Sequence, residues 1–356
     1  MQKHGLFSKA MIFVGMLLLV CCTKGENKSE TKDIVQKYAI QRIVLGTFKV
    51  DEGKPYGTAD EKGVHWMTMG KAALAIDDSG RIYVLSGSSV FTYGENGKFN
   101  KEIVLRDISS EYRAGSIEVS ADGTRLYITL KKKDESKNRI YDNSGNIVES
   151  KGNYDSIRRS CKDNFLAEKY GVNKNAIEKN ELHALDKNLK LIKDLKNYYL
   201  PNMRLNERPL GFFDASLNYY FTDYMPSITK IDVEGKVVSK KKILVQGENC
   251  RLVGIDADGN LYALVFTDNH NNIIKVNKNL ETVASISLES LAKDLENVNS
   301  IQSDGSEVQN YLVTCNGTIY FIPNYYDSIN PAFAYAYQEY RKRGEYVIYK
   351  IEHIKN

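Results

Sequence analysis

A four-stranded unit between Ala73 and Leu105 is the feature that most constrains the fold. Four short runs alternate apolar and polar residues, which is the period of a strand with one buried face. Turn sequences rich in Asp, Asn, Ser and Gly separate the runs, and these residues tolerate the positive φ of tight hairpins. The sequence therefore predicts an antiparallel meander with strands Ala73–Ile76, Arg81–Leu85, Val90–Tyr93 and Phe99–Leu105.

Copies of this unit recur along the chain. A turn followed by an apolar residue and a tyrosine ends at Tyr83, Tyr127, Tyr262 and Tyr320, with a looser copy at Tyr220. Spacing of about 40 to 50 residues is typical of propeller blades. Six copies of the third strand predict an all-β fold, a six-bladed β-propeller of four-stranded antiparallel blades. These third strands are Val90–Tyr93, Asn138–Tyr141, Glu181–Leu185, Ile228–Ile231, Asn272–Val276 and Tyr346–Ile351.

The last of these blades lacks a fourth strand of its own, because the chain ends soon after Tyr346–Ile351. A spare alternating run, Tyr38–Leu45, precedes the first blade. We expect this N-terminal strand to pair with the last blade, because closure of the ring leaves no open sheet edge between the first and last blades.

The segment Asn153–Asn180 fits the repeat least well. The turn Lys162-Asp163-Asn164 before Phe165 could belong to a degenerate first hairpin of a blade. The pattern of residues also permits a helix across Tyr154–Tyr170. Both alternatives are open from the sequence.

Two blocks carry a resemblance to known propellers. They are Ala75–Val84, with the sequence AIDDSGRIYV, and Gly254–Ala263, with the sequence GIDADGNLYA. They resemble six-bladed propellers of the NHL-repeat and gluconolactonase-like kind, including those of exported bacterial lipoproteins. The resemblance implies the fold more than an activity. The aspartate that NHL repeats commonly place shortly after the tyrosine is absent after Tyr83.

The N-terminus has the features of a secretory signal rather than of the propeller. Lys3 and Lys9 precede the apolar run Ala10–Val20, which is far shorter than the roughly 20 residues of a membrane-spanning helix. We assign residues 1–21 to a signal peptide, 22–37 to a flexible polar tether and 38–356 to the propeller domain.

The end of the signal segment resembles the lipobox of bacterial lipoproteins. Leu19 and the small residue Cys21 stand three and one residues before Cys22, the predicted lipidation site. Cys21 is the rival acceptor, although the bulky Val20 would then precede it. Lipidation would make the membrane a partner through the anchor, on the outer-membrane or periplasmic face of the cell envelope. A plain cleaved signal peptide is the alternative.

Charge gives no indication of a nucleic-acid partner. The formal net charge is +4 and falls to +2 when Lys3 and Lys9 leave with residues 1–21. The runs Lys131–Lys133 and Lys240–Lys242 are typical of solvated hairpin edges, which charged side chains protect from aggregation. We therefore predict no binding to nucleic acid.

No linear motif for catalysis or metal binding appears in the sequence. The segment Asp256–Asn260 lacks the glycine and acid positions of a helix-loop-helix calcium site, so it predicts a hairpin turn with calcium as a remote option. The histidines are scattered without ligand spacing. We expect no cofactor, and the sequence favours a protein without enzymatic activity. The alternative function, implied by the fold resemblance alone, is a metal-dependent hydrolase of the lactonase type with a divalent ion in the central channel.

Aromatic residues in two long connections are the candidate partner-binding surface. Tyrosine and tryptophan give large contact areas at small entropic cost. The same residues could instead cap the propeller core or plug its channel. The function predicted from the sequence is a non-catalytic binding or scaffold module for a protein or glycan. The candidate residues are His65, Trp66, Tyr325, Tyr326, Phe333, Tyr335, Tyr337 and Tyr340.

Three cysteines, Cys161, Cys250 and Cys315, remain after the signal segment. Exported proteins can hold disulfides. A bond between Cys250 and Cys315, in successive blades, is one expectation, and three reduced cysteines are the other.

Overall fold

The computed structural model describes several separate ranges of residues within the propeller domain. Residues 35–356 form one compact unit. The signal segment and the tether, 1–37, lie outside the described residues. The described residues are 38–47, 73–133, 135–150, 152–160, 162–170, 180–194, 211–222, 227–242, 249–266, 271–287, 311–322 and 345–353.

Six four-stranded antiparallel sheets form the blades of a six-bladed β-propeller, which confirms the predicted architecture. The described residues contain no helix long and apolar enough to cross a membrane. Blades 1 to 3 each take four consecutive strands. These are β2 (Leu74–Ile76), β3 (Ile82–Ser86), β4 (Ser89–Tyr93), β5 (Phe99–Val104), β6 (Arg113–Val119), β7 (Arg125–Lys132), β8 (Glu135–Asp142), β9 (Ile147–Ser150), β10 (Ser156–Arg159), β11 (Phe165–Tyr170), β12 (Asn180–Leu185) and β13 (Leu191–Asp194).

Blades 4 and 5 repeat this arrangement, whereas blade 6 combines the two ends of the chain. The remaining strands are β1 (Tyr38–Thr47), β14 (Phe212–Phe213), β15 (Tyr219–Thr222), β16 (Ser227–Ile231), β17 (Val237–Lys242), β18 (Asn249–Ile255), β19 (Leu261–Phe266), β20 (Asn271–Val276), β21 (Thr282–Ser287), β22 (Tyr311–Val313), β23 (Ile319–Phe321) and β24 (Glu345–His353). The strand order of blade 6 is β22–β23–β24–β1, so the N-terminal strand is the outermost one.

The predicted ring closure is present as the pairing of β1 with β24. The two strands are antiparallel from Tyr38 opposite His353 to Thr47 opposite Glu345, with one irregularity between Val44 and Gly46. The alternation that identified Tyr38–Leu45 in the sequence therefore reflects a real strand of blade 6.

The third blade resolves the one ambiguous segment. β10 pairs with β11 from Ser156 opposite Glu168 to Arg159 opposite Phe165. The blade alternative is confirmed and the helix across Tyr154–Tyr170 is wrong. The segment forms strands rather than a helix because the strands bury Ile157, Phe165 and Ala167 against blade 2.

Among the described residues the hydrophobic core forms six clusters, and each cluster lies between two neighbouring blades. Between blades 6 and 1, Ile43 and Leu45 of β1 pack with Leu74 and Tyr93 of blade 1 and Tyr346 of blade 6. Each of these six clusters takes residues from two blades, so each blade depends on its neighbours for burial.

Hairpin turns at one end of the blades share a single backbone pattern. They link first strands to second and third strands to fourth, and the residue in the fourth place of the turn has positive φ. Glycine occupies this place in most turns, but Leu189, Leu217 and Leu280 do so in three. The left-handed conformation costs a leucine roughly 1–2 kcal/mol. Leu189 and Leu280 offset the cost by packing into the core, where each would contribute about 1.5–3 kcal/mol.

Ile43→Ala should weaken the closure of the ring. Ile43 is 1% exposed, and its truncation in a core normally costs about 2–5 kcal/mol of unfolding free energy. The matched control is Gln41→Ala in the same strand, where the side chain is exposed and the loss should stay within about 0.5 kcal/mol. Urea unfolding measures both. Equal losses would contradict a closure that depends on burial of β1.

Candidate functional site at the inner turns

The turns between the first and second strands of the blades are here called the inner turns. Each begins with Asp, Ser or Thr at the end of the innermost strand, and its backbone N–H donates to a carbonyl at the far end of the turn. Innermost strands surround the axis of a propeller, so the inner turns surround one mouth of the central channel. The inner turns span Asp77–Arg81, Ser120–Arg125, Ser160–Asn164, Asp214–Asn218, Asp256–Asn260 and Thr314–Thr318.

Carboxylates in three inner turns hold their own backbone. Oδ1 of Asp256 accepts the backbone N–H groups of Asp258 at 3.1 Å and Asn260 at 2.9 Å. Oδ1 of Asp77 and of Asp214 accepts the equivalent pair of N–H groups in its own turn. Such Asx turns satisfy the backbone locally. The segment Asp256–Asn260 is the predicted hairpin turn, joining β18 to β19.

A tyrosine on the following strand completes each of these three turns. The hydroxyls of Tyr83, Tyr220 and Tyr262 donate to Oδ2 of the turn aspartate at 3.0, 2.9 and 3.2 Å respectively. Burial, with the nearby carboxylate adding to it, raises the pKa of all three tyrosines, so the hydroxyls stay protonated and donate. In these three blades, the turn-apolar-tyrosine marker of the sequence is therefore a structural latch between aspartate and tyrosine.

Hydrogen bonds also join the inner turns of neighbouring blades. They connect blades 1 and 2, 2 and 3, 3 and 4, 5 and 6, and 6 and 1. The turns therefore stiffen this mouth of the channel. The bonds run from Asp78 N to Ala121 O (3.0 Å), Ala121 N to Asp163 Oδ1 (2.6 Å), Phe213 N to Ser160 Oγ (3.0 Å), Ala257 N to Cys315 O (2.8 Å) and Asn316 Nδ2 to Asp78 O (3.2 Å).

Arg159 crosses this mouth. It is the last residue of β10 in blade 3, yet its Nη2 donates to the carbonyl of Ile76 at 3.2 Å and to Oδ1 of Asp78 at 3.1 Å. Both acceptors belong to blade 1, which is not a neighbour of blade 3 in the ring. The guanidinium group therefore reaches past blade 2, and its side chain is 7% exposed.

Charge around Arg159 is dominated by acids. Burial alone would lower the pKa of Arg159, but Cys315, Asp78, Glu118 and Asp163 together hold it above its ordinary value. The arginine is therefore a permanent cation among three carboxylates. The backbone N–H of Cys315, in blade 6, also donates to Oδ1 of Asp78 at 3.4 Å, so blades 1, 3 and 6 meet here.

Of the two alternatives for Cys250 and Cys315, the structure has free thiols and not the disulfide. Both are buried thiols, and no bond joins them. Cys315 bonds through its carbonyl to Ala257, just after the end of β18, whereas Cys250 lies near the start of that strand. At about 3.3 Å per residue the two are separated by more than 15 Å along the strand, far beyond disulfide reach. Burial raises the pKa of the Cys315 thiol.

The described residues bring no group of three His, Cys, Asp or Glu side chains together as metal ligands. The other candidate residues of the sequence lie outside the described residues. These are Cys21, Cys22, His65, Trp66, Tyr325, Tyr326, Phe333, Tyr335, Tyr337 and Tyr340.

Reasoning from linear motifs missed Arg159 and Asp78. The signal becomes visible when the inner turns are aligned. The residue before the turn is Ile76, Val119, Phe213, Ile255 or Val313 in five blades and Arg159 in blade 3. The second turn residue is alanine or cysteine in five blades and Asp78 in blade 1. Each residue is thus the one charged member of its column, and the two bond to each other.

Comparisons with known proteins assign no family to this chain. No protein-family model matches the chain, and no curated protein matches it. Among solved structures, a member of the DUF4221 family from Bacteroides vulgatus is 11% identical, with 91% of this chain and 100% of that chain covered and a TM-score of 0.49. Virginiamycin B lyase from Staphylococcus aureus is 12% identical, with coverage of 81% and 82% and a TM-score of 0.41. A protein of unknown function from Bacteroides caccae is 11% identical, with coverage of 70% and 94% and a TM-score of 0.38.

Alanine at Gly123 should cost more stability than alanine at Gly259. Both glycines hold the same place in an inner turn, with φ of +70° and +81°. A Cβ atom on Gly123 would lie 2.3 Å from Oδ2 of Asp77 and 2.3 Å from the hydroxyl of Tyr83, whereas on Gly259 the nearest atom of the described residues, Cβ of Asp214, is 3.9 Å away. We expect a loss of about 1 kcal/mol for Gly259→Ala from backbone strain alone, and a clearly larger loss for Gly123→Ala. Thermal unfolding would contradict the latch if the two losses were equal.

Proposed function

We propose that this chain is an exported lipoprotein whose propeller binds a protein or glycan partner and catalyses no reaction. The support for binding is the difference between the two ends of the blades. At one end, the inner turns are short and bonded to one another. Short, stiff turns of this kind leave the opposite end to carry long connections, and binding residues are disproportionately found on such connections.

The described strand ends indicate where the candidate aromatic residues are attached. β23 ends at Phe321 and β24 begins at Glu345, and both points lie at the end of blade 6 opposite its inner turn. β1 ends at Thr47 and β2 begins at Leu74, at the same end of blades 6 and 1. The segments with His65, Trp66 and Tyr325 to Tyr340 are thus attached at one end of adjacent blades, which supports a shared binding surface.

The chemistry of the repeated carboxylates favours binding over catalysis. Asp77 and Asp256 are almost completely buried, and both oxygens of each accept hydrogen bonds from N–H or O–H donors. An engaged and buried carboxylate is unavailable as a general base unless the turn itself opens.

Lipidation tests the export and anchoring part of the proposal. Cells that express the protein are fed a labelled fatty acid, and the label on the purified protein is measured. Cys22→Ser should abolish labelling and leave the unprocessed chain, whereas Cys21→Ser should retain it. Labelling that survives Cys22→Ser would contradict Cys22 as the acceptor, and an unlabelled wild-type protein would contradict the anchor.

Replacement of residues 324–344 by a short Gly-Ser linker tests the binding surface. The wild-type protein, the deletion variant and a control are cross-linked in intact cells, and partners are identified after affinity purification. The control is Val237→Ser with Val238→Ser on β17, where the side chains are 48% and 54% exposed. We expect one partner to be lost on deletion and retained in the control, with thermal unfolding unchanged. Retention of the partner on deletion would contradict the surface.

A further inference from the structure

Two neighbouring blades carry the same exposed pattern where their fourth strands begin. In blade 3 the segment Lys190–Lys193 reads KLIK, and in blade 4 the segment Lys236–Lys240 reads KVVSK. Each segment places two consecutive aliphatic residues between lysines, directly after the turn that follows the third strand. Blades 3 and 4 are adjacent, because they share one hydrophobic cluster. These two segments are here called the basic aliphatic rim.

A β-bulge explains why both aliphatic residues of each segment are exposed. Successive side chains of a regular strand point to opposite faces, so one of the two would pack against a neighbouring blade. In the rim, Ile192 and Val238 are extra residues with no residue opposite them on the third strand, and a bulge re-aims side chains locally. The exposed fractions are 55% for Leu191, 42% for Ile192, 48% for Val237 and 54% for Val238.

Charge also distinguishes these two blades from the others. The turn and fourth strand contain three lysines and two acids in blade 3 (186–194), and four lysines and two acids in blade 4 (232–242). The corresponding segments of blades 1, 2 and 5 have no excess of lysine over acid. Lysines alone would be explained as protection of an edge strand from aggregation, but exposed aliphatic pairs weaken that protection. The combination fits a surface that is both anionic and apolar.

The N-terminal strand begins at the end of the blades that carries these turns. β23 leaves the inner turn of blade 6, so β24 ends and the antiparallel β1 begins at the inner-turn end, at Tyr38. The turns between third and fourth strands lie at the same end. Fifteen residues separate Cys22 from Tyr38, and they span at most about 50 Å when extended. With the anchor proposed above at Cys22, this end of the propeller stays close to the bilayer.

We propose that the basic aliphatic rim binds the surface of an anionic phospholipid bilayer. Its four aliphatic side chains enter the boundary between headgroups and acyl chains, and its lysines reach the phosphate groups. The edges of two adjacent blades can touch one plane together, as a bilayer requires. A second copy of the chain would instead set lysines against lysines. The orientation rests on the proposed anchor and leaves the proposed partner surface facing away from the bilayer, whereas the lipid contact itself needs no anchor.

The experiment measures co-sedimentation with lipid vesicles of the mature chain without its lipid, residues 23–356, which keeps the whole compact unit 35–356. Vesicles of phosphatidylcholine alone are compared with an equal mixture of phosphatidylcholine and phosphatidylglycerol. The charge variant is Lys190→Glu with Lys236→Glu. The matched control is Val104→Ser with Val148→Ser, on exposed sites of blades 1 and 2. The apolar variant combines Leu191→Ser, Ile192→Ser, Val237→Ser and Val238→Ser.

We expect the wild-type chain and the control to bind the anionic vesicles equally, and the neutral vesicles far more weakly. The apolar variant should bind about tenfold more weakly or less, because the buried aliphatic area is lost. The charge variant should lose about 25-fold or more, at about fivefold for each lysine near an anionic surface, and salt should weaken the wild-type binding. Thermal unfolding should be unchanged in both variants, because the replaced side chains are exposed.

A second measurement does not depend on a loss of binding. Trp66 is the one native tryptophan, and Val238→Trp adds another on the rim. Lipids with brominated acyl chains should quench Val238→Trp more strongly than wild type. Val148→Trp, at the equivalent bulge of blade 2, should be quenched no more than wild type.

Three results would overturn the proposal: the wild-type chain fails to bind the anionic vesicles, the apolar variant binds them as tightly as wild type, or the wild-type chain forms a dimer that the apolar variant loses. Because the chain used carries no lipid, none of these results bears on the labelling of Cys22, and an unlabelled protein would contradict the anchor alone. In cells the anchor already holds the protein on the membrane, so capture of a partner at the opposite end does not depend on this contact.

Discussion

The pairing of β1 with β24 is the interaction on which the ring depends. It joins residues about 300 positions apart, and the entropic cost of such closure grows only with the logarithm of the separation. Each hydrophobic cluster lies between two blades, so an open ring would leave the first and last blades half covered. Ile43 and Leu45 bring the N-terminal strand into the cluster between blades 6 and 1. Closure therefore removes two sheet edges and completes the core in the same step.

The inner turns stabilise each blade through hydrogen bonds between residues close together in sequence. The aspartate of a turn binds backbone N–H groups ahead of it, and a tyrosine of the next strand binds the same carboxylate. One residue thus fixes the turn and the register of the first hairpin together. Where the aspartate is replaced, other groups take over: Tyr127 of blade 2 donates to the carbonyl of Lys187 in blade 3, at 2.8 Å. The pattern tolerates substitution because the buried tyrosine requires only a hydrogen-bond acceptor for its hydroxyl.

Much of the fold was predictable because the same strand alternation and turn residues occur in several copies along the chain, and each copy supports the others. The meander from Ala73 to Leu105 and the spare strand Tyr38–Leu45 follow from alternation and turn residues alone. Blade 3 was ambiguous because its inner turn has Asp163, not glycine, at the left-handed position. The candidate site was out of reach of linear motifs, since Arg159 and Asp78 are 81 residues apart and meet only when the ring is closed. The sequence places Cys250 and Cys315 in successive blades, but it does not show how far along its strand each cysteine lies. The structure has them too far apart for a disulfide for this reason.

In a repeat protein, residue types shared by most blades reflect the packing of a blade, whereas a residue found in a single blade reflects a need of the whole molecule. Five of the six blades have an apolar residue before the inner turn, and five have a small residue at the second place within it, where neighbouring blades pack together. Ile76, Val119 and Ile255 follow this pattern, whereas Arg159 does not. A buried guanidinium group is tolerated only where carboxylates surround it, and Asp78 of a distant blade is placed to do so. Arg159 and Asp78 each depart from the repeat, and each compensates the charge of the other across the mouth of the channel. The pair therefore exists only in the assembled ring.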